Sequence, residues 1–220
     1  MASSADPVDR RNLLTYLSLL CGVGAVAAAS GGRAGMAGFA VALAVIADTF
    51  DGRFARRFGA DPRRNALGTE LDSLADAIAF GIAPPLCSVL LLNAGLGPVG
   101  LSLWIAVFVH AACAVTRLAS YNVDASGAGP GPPPASPTPR SGEGGKPEGE
   151  GGFVGIPVPL AALIWSTALL VQPSAGATLG VILVTAAAMV LPIPIPRPTG
   201  AGLVAFVLWP LAVAMLHAWR

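Results

Sequence analysis

Apolar runs of close to twenty residues recur along this chain, separated by short polar connections, and no other feature limits its fold so strongly. Roughly 20 apolar residues make one helical crossing of a bilayer. Inside hydrocarbon every backbone amide must be paired within its own segment, which favours helices. The runs lie near residues 13–30, 35–56, 68–94, 98–121, 154–172, 176–194 and 200–218. We therefore expect an all-α, polytopic membrane helix bundle with seven transmembrane helices, within bounds of six to eight, forming a single domain over residues 1–220. Composition agrees: 54% of residues are hydrophobic, 11% are charged and the mean hydropathy is +0.69, far from a soluble domain of this size. A net charge of +1 supplies no basic field for nucleic acid.

The N-terminal lead carries Asp6, Asp9 and two arginines, and its apolar run is followed by six more. It reads as a first membrane helix and not as a cleaved leader. Basic residues sit on alternate connections: Arg10 and Arg11, then Arg56, Arg57, Arg63 and Arg64, then Arg140 and Lys146, then Arg197. The opposite side has Arg33 and Arg220. The positive-inside rule then places the N-terminus and the connection after Arg56 in the cytoplasm of a multi-pass cell-membrane protein. Residues 124–151 are rich in Gly, Pro and Ser with almost no large apolar side chain, the composition of a disordered linker. In LPIPIPRP, from Leu191 to Pro198, the prolines end the sixth helix in an extended piece. Cys21, Cys87 and Cys113 lie in apolar runs without metal-ligand spacing and read as packed residues. His110 reads as a packed or hydrogen-bonded helix histidine.

Against this apolar background two acidic stretches stand out, DTFDGRFAR at 48–56 and GTELDSLAD at 68–76. On a helix, Asp48, Asp51, Gly52, Ala55 and Arg56 share one face. Gly68, Asp72 and Asp76, spaced by four, share a face of the next helix. A short polar connection makes the two helices antiparallel neighbours and brings four carboxylates into one cavity. An Asp at a helix centre is penalised by about 2.5–3.5 kcal/mol on insertion scales, so a cation must compensate them. Arg53 and Arg56 offset part of the charge. An all-oxygen cluster suits Mg2+ or Mn2+, and two such ions balance four carboxylates. Metal ions beside an arginine are equipment for phosphoryl chemistry. An interhelical ion-pair network and a cation-coupled transporter are the competing readings; transport carboxylates are usually spread along a pathway of broken helices, and no internal repeat is evident here.

The pattern Asp48-x-x-Asp51-Gly52-x-x-Ala55-Arg56 followed by Gly68-x-x-x-Asp72-x-x-x-Asp76 resembles the motif of the CDP-alcohol phosphotransferases, integral membrane enzymes that move a phosphatidyl or similar group from a CDP-linked donor to an alcohol. LDSLADAIAFGIAPP, TRLASYNV (116–123) and GFVGIPVPLAA (152–162) are similar to blocks of the serine branch, with departures at Ser120 and Val158. The resemblance implies that Asp48, Asp51, Asp72 and Asp76 hold two divalent ions, Mg2+ or Mn2+. It implies that Gly52, Ala55, Arg56 and Gly68 help bind the CDP part of the donor, and that Asp76 is also the general base. The implied partners are CDP-diacylglycerol, L-serine, the product CMP, membrane lipid and a second copy in a homodimer; the active site would face the cytoplasm. Arg117 can offer a bidentate fork to the serine carboxylate, with Asn122 five residues on. With glycerol phosphate or inositol phosphate as acceptor, further basic residues should converge on the cavity.

Overall fold

The computed structural model describes residues 9–58, 62–125, 153–192, 194–195 and 201–219. Most of the Gly/Pro-rich connection expected to be disordered lies outside the described residues. The α-helices are α1 (Leu13–Ser30), α2 (Ala34–Ala55), α3 (Pro62–Asp76), α4 (Ala83–Leu96), α5 (Leu101–Ala125), α6 (Val158–Leu169), α7 (Ala175–Val190) and α8 (Ala201–Ala218). A π-helical turn, Ala77–Ile82, joins α3 to α4, and together they form one long helix. Two short extended segments, β1 (Phe153–Val154) and β2 (Pro194–Ile195), pair antiparallel through their main chains.

The architecture is a polytopic membrane helix bundle. Among the described residues, four helices are long and apolar enough to cross a membrane: Arg10–Ser30, Ala34–Phe58, Arg63–Leu96 and Leu101–Val123. Helices α6 and α7 are shorter. The seven expected segments are all helical among the described residues, and the fifth and sixth are shortened, to α6 and α7. Pro157 caps α6 at its start, and beyond its end Gln172 takes a left-handed φ of 46° directly before Pro173, which confines α6 to 12 residues. At 1.5 Å per residue that is about 18 Å of helix, less than a hydrocarbon core.

Small side chains face inward and large ones outward. Ala25, Ala29, Ala37, Ala42, Ala44 and Ala79 are wholly buried, whereas Leu20, Leu101, Phe108 and Met215 are exposed. Between helices in lipid there is little hydrophobic gain, so close van der Waals approach holds the bundle, and small residues permit it. Gly22 shows the limit: a Cβ there would stand 2.7 Å from Cα of Ala79, where α1 crosses the π turn. Likewise Gly38 on α2 leaves room for the His217 ring of α8. That ring's Nε2 lies 2.8 Å from the Ser166 carbonyl, and the Ser166 hydroxyl donates to the Gly38 carbonyl. Helix α1 packs on α2 and α4, α2 on α6 and α8, and α5 on α7 and the π turn. Helix α3 also packs on α1 and on the turn Arg10–Asn12 before it.

Candidate active site

Asp48 and Asp51 occupy the last two turns of α2, and Asp72 and Asp76 the last two turns of α3. The shared faces read from their spacing do meet. Asp48, Asp72 and Asp76 each offer a carboxylate oxygen, and these atoms lie within 4.8 Å of one another. Asp51 stands beside this trio, 8% exposed, and accepts a hydrogen bond from the Thr15 hydroxyl of α1. Its carboxylate is also within hydrogen-bonding reach of Asp72, as Asp48 is of Asp76. Three carboxylates so close repel unless a cation or a shared proton intervenes. Their oxygen-only donor set and spacing fit a hard divalent ion.

Two cavities open on this cluster. The larger, about 580 Å³, is lined by Asp51, Gly52, Ala55, Arg56, Gly68 and Asp72, together with Arg11, Asn12, Arg64, Asn65 and Thr69. Its volume falls in the range of small-molecule and cofactor sites. Among the described residues, no atom beyond its own helix backbone and chain neighbours lies within 4 Å of where a Cβ on Gly52 would stand, so this backbone is open to a ligand's approach. The smaller cavity, about 130 Å³, is lined by Asp72, Asp76, Arg117, Tyr121 and Asn122, together with Thr69, Ser73, Leu118, Val158 and Pro159. Thr69 and Asp72 line both, so the cavities meet at the carboxylate cluster. Every residue assigned to the site from the sequence borders one cavity or belongs to the trio.

The smaller cavity is framed by three elements. Asn122 of α5 and Ser73 of α3 are joined by hydrogen bonds, with Asn122 Nδ2 donating to Ser73 Oγ at 2.9 Å. Arg117 donates through Nη2 to the Gly155 carbonyl at 3.2 Å. Gly155 has φ 74°, and a Cβ there would collide with the Met189 carbonyl at the end of α7. Only glycine fits both demands, which explains that position within GFVGIPVPLAA. Val158, a departure from the serine-branch block, is wholly buried and contributes an apolar wall.

Several contributors were not singled out from the sequence. Thr15 belongs to no motif in the sequence, and its pairing with Asp51 depends on how α1 meets α2. Arg11 and Arg64 read there only as charges on one side of the membrane. Arg11 donates to the Phe58 carbonyl at 2.7 Å, and Asp9 pairs with Arg64 at 3.4 Å, which ties the chain before α1 to the residues after α2 and to α3 beside the larger cavity. His110 lines neither cavity; it is wholly buried and faces the Gly81 carbonyl.

The family model for CDP-alcohol phosphatidyltransferase matches residues 11–191, which include both acidic motifs and both cavities. The chain belongs to this family. Among curated CDP-alcohol phosphatidyltransferase relatives, the CDP-diacylglycerol--serine O-phosphatidyltransferase of Mycobacterium leprae is 40% identical over 111 residues, covering 50% of this chain and 34% of that protein. The protein of the same name from Mycobacterium tuberculosis H37Rv is 39% identical over 109 residues, covering 50% and 36%. The one from Helicobacter pylori 26695 is 30% identical over 153 residues, covering 70% and 54%. The matches thus span about a third of the mycobacterial proteins and about half of the Helicobacter protein.

Proposed function

We propose that this protein transfers the phosphatidyl group of CDP-diacylglycerol to L-serine, forming phosphatidylserine and releasing CMP. One observation carries this reading: a nucleotide-sized cavity and a much smaller one share Asp72 beside the carboxylate trio. A donor and an acceptor bound in the two would meet there.

In the larger cavity Gly52, Ala55 and Gly68 present little side chain to the CDP moiety, and Arg56 offers its guanidinium to the phosphates. Asp48, Asp51, Asp72 and Asp76 would hold two Mg2+ or Mn2+ ions, which when bound neutralise phosphate oxygens and stabilise the leaving group. In the smaller cavity Arg117 receives the serine carboxylate, and Asn122, held by Ser73, adds a polar contact. Asp76 takes the serine hydroxyl proton as that oxygen attacks the phosphorus bonded to the diacylglycerol oxygen. The bond from this phosphorus to the CMP oxygen breaks, and CMP departs toward Arg56. No covalent enzyme intermediate is needed.

The names of the relatives support serine as acceptor, and so does the charge of the smaller cavity. Among its described lining residues Arg117 is the one cation, enough for an amino-acid carboxylate. A glycerol or inositol phosphate brings a dianion for which a cluster of bases is expected. The basic connections support a cytoplasmic position for this end of the bundle in a cell-membrane protein, and membership of the family favours a homodimer. The test is incorporation of labelled serine into lipid by detergent-purified protein with Mg2+ or Mn2+. Incorporation that requires CDP-diacylglycerol and stops on chelation supports the proposal; incorporation indifferent to either removes it.

A further inference from the structure

Gly81, five residues after Asp76, has a carbonyl without its helical donor. In an α-helix it would accept from the amide of residue 85, but that residue is Pro85, which has no N–H. Pro84 removes the donor for Phe80 in the same way. The chain widens here: Ala77–Ile82 wind as a π turn, and the Ala83 amide donates to the Ile78 carbonyl. His110 of α5 supplies what Pro85 lacks. Its Nδ1 lies 3.0 Å from the Gly81 carbonyl oxygen. A carbonyl can only accept, so Nδ1 carries the proton. The other ring nitrogen is buried with no hydrogen-bond partner among the described residues, which leaves Gly81 as the polar contact of this ring.

Helix α5 ties this contact to the site. One turn beyond His110, the Ala114 Cβ lies 2.9 Å from where a Cβ on Gly81 would stand, so helix and π turn touch. Three residues further on the same stripe, Arg117 lines the smaller cavity with Asp76. One face of α5 thus grips the π turn and presents Arg117. Relaxation of the π turn to α geometry would rotate Asp76 relative to α4 by about 100°, one residue's step.

We propose that His110 is a positioning residue for the phosphotransfer: by holding the Gly81 carbonyl it locks the π turn, which aims the Asp76 carboxylate at Asp48 and Asp72 and keeps it opposite Arg117. This rests on the carboxylate trio as a metal cage, not on serine as the acceptor.

The experiment measures Mn2+ binding by electron paramagnetic resonance on detergent-purified protein, alongside kcat and KM for CDP-diacylglycerol. His110→Leu should weaken Mn2+ binding and lower kcat, each by about 10–100-fold, the usual cost of losing support behind a metal ligand, with the donor KM unchanged. His110→Asn places an amide N–H near the position of Nδ1 and should restore most of both. His110→Gln places it nearer Nε2 and should not. Wild-type Mn2+ binding and kcat in His110→Leu overturn the proposal, as does a Gln variant equal to or better than the Asn variant. If His110→Leu cannot be purified folded, the comparison of Asn with Gln decides. A wild-type protein that binds Mn2+ but ignores serine refutes the serine reading alone, and the Mn2+ comparison still stands; one that binds no Mn2+ overturns the positioning role.

Discussion

The Thr15 hydroxyl of α1 donates to the buried Asp51 carboxylate of α2, so the first helix of the bundle orients an aspartate supplied by the second. Thr15→Val keeps the shape and removes the donor. Leaving a buried carboxylate short of a partner costs about 1–3 kcal/mol. We expect a raised KM for CDP-diacylglycerol and a lower thermal midpoint, with Thr15→Ser near wild type in both; steady-state kinetics and detergent melts check this.

Asp76 borders the smaller cavity while its carboxylate joins the trio. Asp76→Asn retains size and removes the carboxylate proposed as the base. A positioned general base is worth about 10²–10⁴-fold, so kcat should fall at least that far. Relieved of mutual repulsion, the protein should melt no lower than wild type. Turnover near the wild-type rate would remove Asp76 as the base.

Arg117 faces the smaller cavity and holds the Gly155 carbonyl. A charge-assisted hydrogen bond contributes about 1.5–3 kcal/mol, so Arg117→Ala should raise the serine KM by about 10–100-fold and leave the donor KM alone. Arg117→Lys keeps the charge without the planar fork and should recover only part. An equal loss for both substrates would count against a role in acceptor binding.

Gly155→Ala tests the frame behind Arg117. The left-handed φ costs a residue with a Cβ about 1–2 kcal/mol, and the Met189 carbonyl occupies the space that the methyl needs. The variant should melt at lower temperature than wild type. Its serine KM should rise as the Gly155 carbonyl shifts away from Arg117, which serine titrations measure.

The helical faces that carry Asp48, Asp51, Asp72 and Asp76 were legible because spacing along a helix depends only on its local period. The order of apolar segments was legible for the same reason. Contacts between distant residues were not: Thr15 with Asp51, and Gly22 against Ala79, depend on how helices cross. The π turn had a local clue in the consecutive Pro84 and Pro85, but its rescue by His110 from another helix did not. Gly155 reads as one glycine among 27, and its left-handed backbone beside Met189 emerges only in the packed chain. The shortened α6 likewise follows from where Pro157 and Gln172 sit in three dimensions.

The central claim is that the two cavities meeting at Asp72 join CDP-diacylglycerol to serine. Its most direct test is CMP release from CDP-diacylglycerol by one purified sample with Mg2+ or Mn2+, offered L-serine, glycerol phosphate or inositol phosphate in parallel. Release stimulated by serine, abolished by chelation and not evoked by the phosphate-bearing alcohols is the predicted result; release with either of those alcohols and none with serine would contradict it.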